Sequence, residues 1–475
     1  MMKRTFASLA LFAAAALSAA AQEPAKTAAA PAPPARTKLQ ELPRDEKGFL
    51  KPEVWALIEA DAKANPTSNE ARALQSRPMI KAYYATYATW TAPEPPAPPP
   101  GRLRNLSDTP KTPRFPLTGK VWPAKPGEAS VCLWEDDKLA AMSLGVDDNS
   151  AGDLPYWREL SKKYGGLAIT WNLITCNING AIDKGRGPSA GSWAAWKQLR
   201  DEGYHLVSHS VTHLHDPVPA DGWPGPDWEA AESIRTLDSH LPGQKTKLFV
   251  YPGAGVSYFG ILGGYYPNSS WRPAIVKYYA AARGGGGEAI NPANQIDYFN
   301  IHATTGSVPD LLGSTNPRMA SQNLNKLFDP DPKNPNYRGW ANIFIHFINN
   351  GKDFDTNPFT IAYGKTLAFY NDHRADLWTG FIDDVALYGQ ERDTATLTPE
   401  PAGAAELAFT LTTQMDPAVF DYPLTVKVRL PDAWQAAAAA QNHAVLPVQV
   451  IRHEGAPYAL VKVVPDRGRV TLAPR

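Results

Sequence analysis

The sequence predicts an α/β protein in which a parallel sheet, open or closed into a barrel, precedes a small antiparallel β-sandwich. Two observations support this. Between about residues 121 and 398, apolar segments such as "LAAMSLGVDD" alternate with amphipathic helical segments such as "LPYWRELSKKYG". Repeated β-then-α units with short loops are typical of a parallel sheet. From residue 399 onward, segments such as "YPLTVKVRLP" alternate with period two, which is typical of antiparallel strands.

The N-terminus predicts export. Lys3 and Arg4 precede the apolar stretch "TFASLALFAAAALSAAA", and Ala19 and Ala21 form an A-x-A cleavage site. This is the pattern of a secretory signal peptide over residues 1–21, too short and too Ala-rich for a stable membrane anchor. No later stretch approaches the roughly 18 apolar residues that a membrane span requires. We therefore expect an exported protein without a membrane span, either periplasmic or secreted.

Three segments separate the signal peptide from the α/β region. Residues 22–38 are a Pro/Ala-rich tether, residues 39–91 a helical N-terminal region, and residues 92–120 a second, Pro-rich linker. We expect residues 121–398 to form the catalytic domain. The β-sandwich over residues 399–475 is expected to cap that domain, and glycan binding by the sandwich is the alternative.

Charge and cysteine content limit the partners and the type of metal site. The chain has 47 basic and 47 acidic residues, so its net charge gives no reason to expect a nucleic-acid partner. Cys132 and Cys176 are its two cysteines, and either one disulfide or two buried thiols would fit an oxidising compartment. Two cysteines cannot build a thiolate zinc site, so any metal must be held by histidine and carboxylate.

Reactive side chains occur where the predicted strands end. In parallel α/β folds the chemistry lies at the C-terminal ends of the strands, so these residues should share one face. The residues, in chain order, are Asp147 and Asp148, His209, Tyr251 to Gly253, and His346.

Two local patterns suggest a metal site, and each has a simpler interpretation. His209 and His213 are spaced i, i+4, so both imidazoles would lie on one face if Ser210 began a helical turn. The alternative is a surface pair at a helix end. Asp147 and Asp148 would repel each other at the end of a buried strand unless a cation or a partner compensates them. The alternative there is a solvated turn.

Taken together, these segments resemble the polysaccharide deacetylases of the NodB homology type, carbohydrate esterase family four. That family's first motif ends in T-F-D-D-G, its second is H-[ST]-x-x-H, its third is R-P-P-Y or Y-P-Y-G, and its fifth is leucine-x-histidine. The matching segments here are Gly145 to Asn149, His209 to His213, Tyr251 to Gly253 and Phe344 to His346. The resemblance covers residues 139–392 and implies a distorted (β/α) barrel.

The resemblance implies one divalent metal ion, with zinc as the default and cobalt, nickel or iron left open. Its ligands would be Asp148, His209 and His213. Asp147 would be the general base and His346 the general acid. The implied substrate is an acetylated polysaccharide or oligosaccharide, which would lose N-acetyl or O-acetyl groups.

The third motif implies a contact to the oxyanion of the reaction. Tyr251 and Gly253 would form the oxyanion and substrate site, where the backbone N–H near Gly253 helps to stabilise the developing charge.

The chain also departs from the family pattern. Val250 occupies the position of the motif-three arginine, Asn149 replaces the glycine after the Asp pair, and the fourth motif is not recognisable. Arg283 could supply the missing guanidinium beside Asp147, or it could be a cation at a helix end. These departures leave a second hypothesis open, a catalytically weak or idle glycan-binding or envelope-structural protein. A zinc hydrolase of phosphoesters or peptides lacks its usual motifs.

Overall fold

A computed structural model describes most of the chain after residue 78. The described residues are 78–107, 118–180, 190–213, 221–252, 271–284, 289–305, 323–348 and 358–475 without 402 and 404, with isolated positions in 51–66 and residue 312. All described residues belong to one compact unit, Pro43–Arg475. The predicted signal peptide (1–21), the tether (22–38), most of the helical region (39–91) and Gly253 lie outside the described residues.

The α-helices after residue 77 in the described part of the chain are numbered in order. They are α1 (78–85), α2 (Leu154–Lys163), α3 (Trp193–Asp201), α4 (Pro226–His240), α5 (Trp271–Tyr278), α6 (Pro358–Asp372) and α7 (Ile382–Thr394). None of them is both long enough and apolar enough to cross a membrane.

The strands of the described residues, in chain order, are β1 (Ala129–Val131), β2 (Ala140–Val146), β3 (Ile169–Leu173), β4 (His205–Ser208), β5 (Leu248–Val250), β6 (Ala281–Arg283), β7 (Ile290–Asn291), β8 (Thr304–Thr305), β9 (Trp340–Ile345), β10 (Leu377–Thr379), β11 (Thr396–Pro399), β12 (Leu407–Thr412), β13 (Leu424–Arg429), β14 (Ala437–Gln441), β15 (Ala444–Leu446), β16 (Val448–His453), β17 (Ala456–Val463) and β18 (Arg469–Pro474).

The central sheet has the order β6-β5-β4-β3-β2-β9-β7, with β10 paired to β2 and β8 paired to β9. All pairings are parallel except that of β7 with β9. Every residue of β2 is buried, as expected for a strand covered on both faces. The predicted α/β class with a parallel sheet is therefore confirmed.

The predicted barrel closes only in part. β5 and β6 have three residues each, and β8 has two. Within the described residues, an isolated β-bridge between Arg283 and Ile301 joins β6 to the chain that continues into β8. Strands this short leave few hydrogen bonds to complete the ring. Within the described residues the sheet is therefore a curled, partial barrel, and the distorted (β/α) barrel that the resemblance implied is found only in part.

Two antiparallel sheets follow at the C-terminus, with the orders β1-β13-β17-β16 and β11-β12-β18-β14-β15. The period-two alternation from residue 399 thus becomes antiparallel strands, as predicted. One strand comes from elsewhere in the chain, because β1 precedes the central sheet in sequence and yet pairs with β13. The alternation of apolar and polar residues did not indicate that β1 pairs with a C-terminal strand.

Buried polar contacts tie the C-terminal sheets to the α/β core. The Tyr388 hydroxyl on α7 donates to the Cys132 carbonyl at 2.8 Å. Lys427 of β13 forms a buried ion pair of 2.7 Å with Asp137. Cys132 and Cys176, both described, are buried and are not joined by a disulfide.

Helix α1 packs on α4 through aromatic rings. Tyr84 is 1% exposed and meets the Trp228 ring edge-on, with 5.8 Å between centroids. The Tyr87 hydroxyl donates to Glu232 at 3.1 Å. This part of the predicted helical N-terminal region is therefore attached to the core.

His205 lies at the N-terminal end of β4, opposite the edge where the reactive residues end their strands. Its Nδ1 is 2.9 Å from both carboxylate oxygens of Asp383, and its ring stacks on Phe381. Burial alone would lower the pKa of His205, but Asp383 and then Asp384 outweigh it and raise that pKa to about 9. Burial, together with Asp383, also raises the pKa of Asp384 to about 7.

The His205–Asp383 pair should make stability depend on pH. Because the pKa of His205 is raised from 6.5 to about 9 on folding, its contribution is complete below pH 6.5 and is lost as the pH rises to about 9. We expect His205→Asn to lower the melting temperature at pH 6.5, and the difference from the unsubstituted protein to shrink toward zero above pH 9. Because Asp384 also titrates in this pH range in both proteins, the quantity to measure is the difference between their melting temperatures at each pH. A difference that stays constant with pH would contradict this prediction.

Candidate active site and metal centre

The turn after β2 sends two adjacent carboxylates in different directions. Asp148, Asn149 and Ser150 have φ values of 60°, 65° and 44°, a left-handed conformation that costs free energy in non-glycine residues. Asn149 tolerates it and anchors the turn. Its Oδ1 accepts from the Ile174 N–H at 2.8 Å, and its Nδ2 donates to the carbonyls of Ile174 and Ala190 at 3.2 Å. The Asn149 side chain therefore holds the turn in place.

Asp148, His209 and His213 bring three ligand atoms together. Asp148 Oδ1 is 3.5 Å from His209 Nε2 and 3.2 Å from His213 Nε2, and the two Nε2 atoms are 3.1 Å apart. Ligands about 2.1 Å from a tetrahedral zinc ion lie roughly 3.4 Å from one another. The separations and the donor types therefore fit one divalent metal ion.

The two histidines are presented by a loop, and the helical turn expected at Ser210 is wrong. Ser210 and His213 have φ values of 69° and 59°, which no α-helix contains. The Ser210 hydroxyl accepts from the His213 N–H at 2.8 Å and holds the loop closed. His209 Nδ1 lies 2.9 Å from the Val250 carbonyl. Since a carbonyl only accepts, Nδ1 carries the proton and Nε2 keeps its lone pair for a metal.

Glu229, at the start of α4, holds this loop from behind. Its Oε2 accepts from the Val211 and Thr212 N–H groups at 2.9 and 3.0 Å, and its Oε1 accepts from the Thr212 hydroxyl and from Trp223 Nε1. Burial raises the pKa of Glu229, and these hydrogen bonds oppose the rise. Glu229 belongs to none of the motifs found in the sequence, so its role could not be predicted from them.

Asp147 points into the partial barrel, where it is 3% exposed. Arg283 Nη2 donates to its Oδ1 and Oδ2 at 2.8 and 2.6 Å, and Asn172 Nδ2 donates to Oδ1 at 2.5 Å. Burial by itself would raise the pKa of Asp147, but Arg283, then His209 and His346, outweigh it and hold that pKa below its usual value. The carboxylate is therefore ionised, as a general base must be.

His346 lies at the same edge of the sheet. It lies close enough to Asp147 and Asp148 to add to the lowering of their pKa values, which Arg283 dominates at Asp147 and His213 at Asp148. The backbone around it is fixed, because the Ser150 hydroxyl donates to the His346 carbonyl and the Ile348 N–H donates to Asp153 at 2.7 Å. The four segments singled out in the sequence thus meet at the C-terminal ends of the strands.

The Tyr251 side chain is buried and does not line an open cleft. Tyr251 is 1% exposed, its ring packs on Phe249, and its N–H donates to the Arg283 carbonyl at 3.0 Å. The ring is therefore part of the core, which leaves the main chain of this segment as the part that could face substrate.

No protein-family model matches the chain. It is 34% identical over 369 residues to a protein from Bacillus sp named gellan lyase, and the match covers 74% of this chain but 14% of that relative. The chain therefore spans only a small part of the length of the relative that it matches.

Two solved structures show more distant similarity. One is a CE4 family pseudoenzyme from Bacillus anthracis, with 15% identity and a TM-score of 0.28 over 52% of this chain and 66% of that one. The other is a glycoside hydrolase family 30 xylanase from Clostridium acetobutylicum, with 11% identity and a TM-score of 0.26 over 74% of this chain and 100% of that one. TM-scores of this size do not establish a common fold.

The Glu229 contacts predict an effect on metal affinity. Glu229→Ala removes the acceptor of two backbone N–H groups between the histidines, so we expect zinc affinity to fall by about 10- to 100-fold. Calorimetric titration of zinc into metal-free protein measures this. Glu232→Ala is the matched control, because Glu232 is buried on the same helix but pairs with Arg235 instead of the loop. Equal losses in the two variants would contradict the prediction.

Proposed function

We propose that this protein is an exported, metal-dependent hydrolase that removes acetyl groups from a polysaccharide. The observation that carries the proposal is the grouping of Asp148, His209 and His213, whose ligand atoms all lie within 4.8 Å of one another. Asp147 and His346 stand beside them, so a base and an acid accompany the metal ligands.

A divalent cation in such a site supplies Lewis-acid chemistry, because it polarises a carbonyl and makes water a nucleophile at neutral pH. Asp148, His209 and His213 would hold it. Zinc suits two imidazoles and one carboxylate, since three protein ligands leave a position open, as in other catalytic zinc sites.

The remaining residues account for the movement of protons. Asp147 accepts a proton from water, and the water oxygen forms a bond to the acetyl carbon. The bond from that carbon to the sugar nitrogen or oxygen then breaks, and His346 gives the leaving atom a proton. Acetate and a free amine or hydroxyl are the products. We assign the stabilisation of the oxyanion to the backbone N–H near Gly253, beyond Tyr251.

Two similarities support a carbohydrate polymer as the substrate class. The motifs resemble those of polysaccharide deacetylases, and the 34% identical relative is named for action on the polysaccharide gellan. The signal-peptide pattern over residues 1–21 supports a reaction outside the cytoplasm.

A lyase reaction is the second candidate, and the name of the relative favours it. A lyase breaks the sugar chain by elimination and leaves a carbon–carbon double bond. Hydrolysis of an acetyl group leaves the sugar chain intact and releases acetate. The two reactions can therefore be told apart by their products.

Acetate release tests the proposal. The purified protein loaded with zinc should release acetate from at least one of a set of N- and O-acetylated polysaccharides. Asp147→Asn should reduce kcat by about 100-fold or more, because it removes the base without changing the side-chain volume. A chelator should abolish release, and added zinc should restore it.

Three results would contradict it. Release that survives both the chelator and Asp147→Asn would come from another site. Unsaturated sugar products without acetate would identify a lyase. Binding of the polymer without either product would identify an idle glycan-binding protein, the alternative left open by the sequence.

A further inference from the structure

The base of the proposed reaction has two oxygens in unequal surroundings. We propose that Asn172 is a positioning residue that, together with Arg283, fixes the Asp147 carboxylate so that Oδ2 is the oxygen that accepts the proton. This inference rests on the proposed function, and it assigns a role to a residue that no motif of the sequence singled out.

The contacts of the two oxygens differ. Oδ1 accepts two hydrogen bonds, from Asn172 Nδ2 at 2.5 Å and from Arg283 Nη2 at 2.8 Å. Oδ2 accepts one of 2.6 Å, also from Arg283. Oδ2 also lies 3.9 Å from His209 Nε2, so it is the carboxylate oxygen that faces the candidate metal ligands. Because Oδ1 already holds two donors, Oδ2 has more capacity to take a proton from water.

The chemistry of the amide fixes its orientation. An ionised carboxylate has no proton to donate, so the group of Asn172 that faces Asp147 must be the NH₂. Asn172 is fully buried, and within the described part of the chain no donor reaches its Oδ1. Burying the unsatisfied Oδ1 of Asn172 costs stability. The favourable contact of this amide in the structure is its hydrogen bond to Asp147.

The register of the sheet creates this contact. β2 and β3 are parallel, and Val146 lies opposite Trp171, so the next residues, Asp147 and Asn172, are neighbours across the strands. Gly145 leaves the necessary space. A Cβ at position 145 would lie 3.3 Å from Asn172 Nδ2 and 3.4 Å from Ile382 Cδ1. The glycine two residues before the base therefore lets the amide approach the Asp147 carboxylate.

Asn342 provides a matched control. It is a second fully buried asparagine, on β9, and neither of its amide atoms has a hydrogen-bond partner among the described residues. Asn172→Leu and Asn342→Leu are nearly isosteric, and each removes one buried amide. Only the first removes a donor to Asp147.

The experiment measures kcat and KM for acetate release, zinc stoichiometry and melting temperature in the full chain. We expect Asn172→Leu to lower kcat by about 10- to 100-fold, the usual effect of losing a group that orients a reactive residue, with KM and zinc content unchanged. Asn172→Asp, which puts a negative charge in place of the donor, should lower kcat further. Asn342→Leu should keep the kcat of the unsubstituted protein.

Two outcomes would overturn the proposal. One is an Asn172→Leu protein that binds zinc and keeps its kcat. The other is a parallel loss of kcat, zinc content and melting temperature in both leucine variants, which would show a structural role.

Crystal structures of the unsubstituted protein and Asn172→Leu separate this proposal from the proposed function. A rotated Asp147 carboxylate in the variant supports positioning even if the unsubstituted protein releases no acetate, a result that would remove only the deacetylase assignment. An unmoved carboxylate overturns the positioning role even in an active enzyme.

Discussion

The burial of Asp147 is the constraint on which the site depends. An ionised carboxylate inside a protein is stable only if opposite charge and hydrogen bonds replace the water that it has lost. Asn172 supplies a hydrogen bond from β3, the neighbour of β2, and Arg283 supplies opposite charge from β6, at the end of the curled sheet. The curl of the sheet is therefore tied to the charge, because a flat sheet would hold β6 and β2 too far apart for this contact.

The adjacent Asp148 has the opposite requirement, since it must face the two histidines. A regular strand would direct consecutive side chains to opposite faces of the sheet, one inward and one into the helix layer. The three left-handed residues after β2 end the strand at this point and keep both carboxylates near the same edge. The backbone cost of that turn is offset by the amide contacts of Asn149 and by the Ser150 hydroxyl.

The parts of the site that the sequence could predict are those with local patterns. The paired aspartates, the H-x-x-x-H spacing and the strand alternation are visible within a few residues, and the ends of parallel strands meet by a general rule. Asn172 and Glu229 reach their partners across 25 and 17 residues of chain, so their roles depend on sheet register and helix placement. The partial closure of the barrel could not be predicted either, because strands of two or three residues are too short to show a periodicity in the sequence.

The pairing of β1 with β13 limits where the chain can be cut into fragments. The antiparallel sheets over residues 399–475 look like a separable module in the sequence, yet one of their edge strands, Ala129–Val131, is encoded before the α/β region. A gene cut at residue 398 would leave that strand on one fragment and its hydrogen-bonding partner, Leu424–Arg429, on the other. The α/β region thus lies in the sequence between two parts of one β-sheet, so a fragment that keeps this sheet whole must include the α/β region.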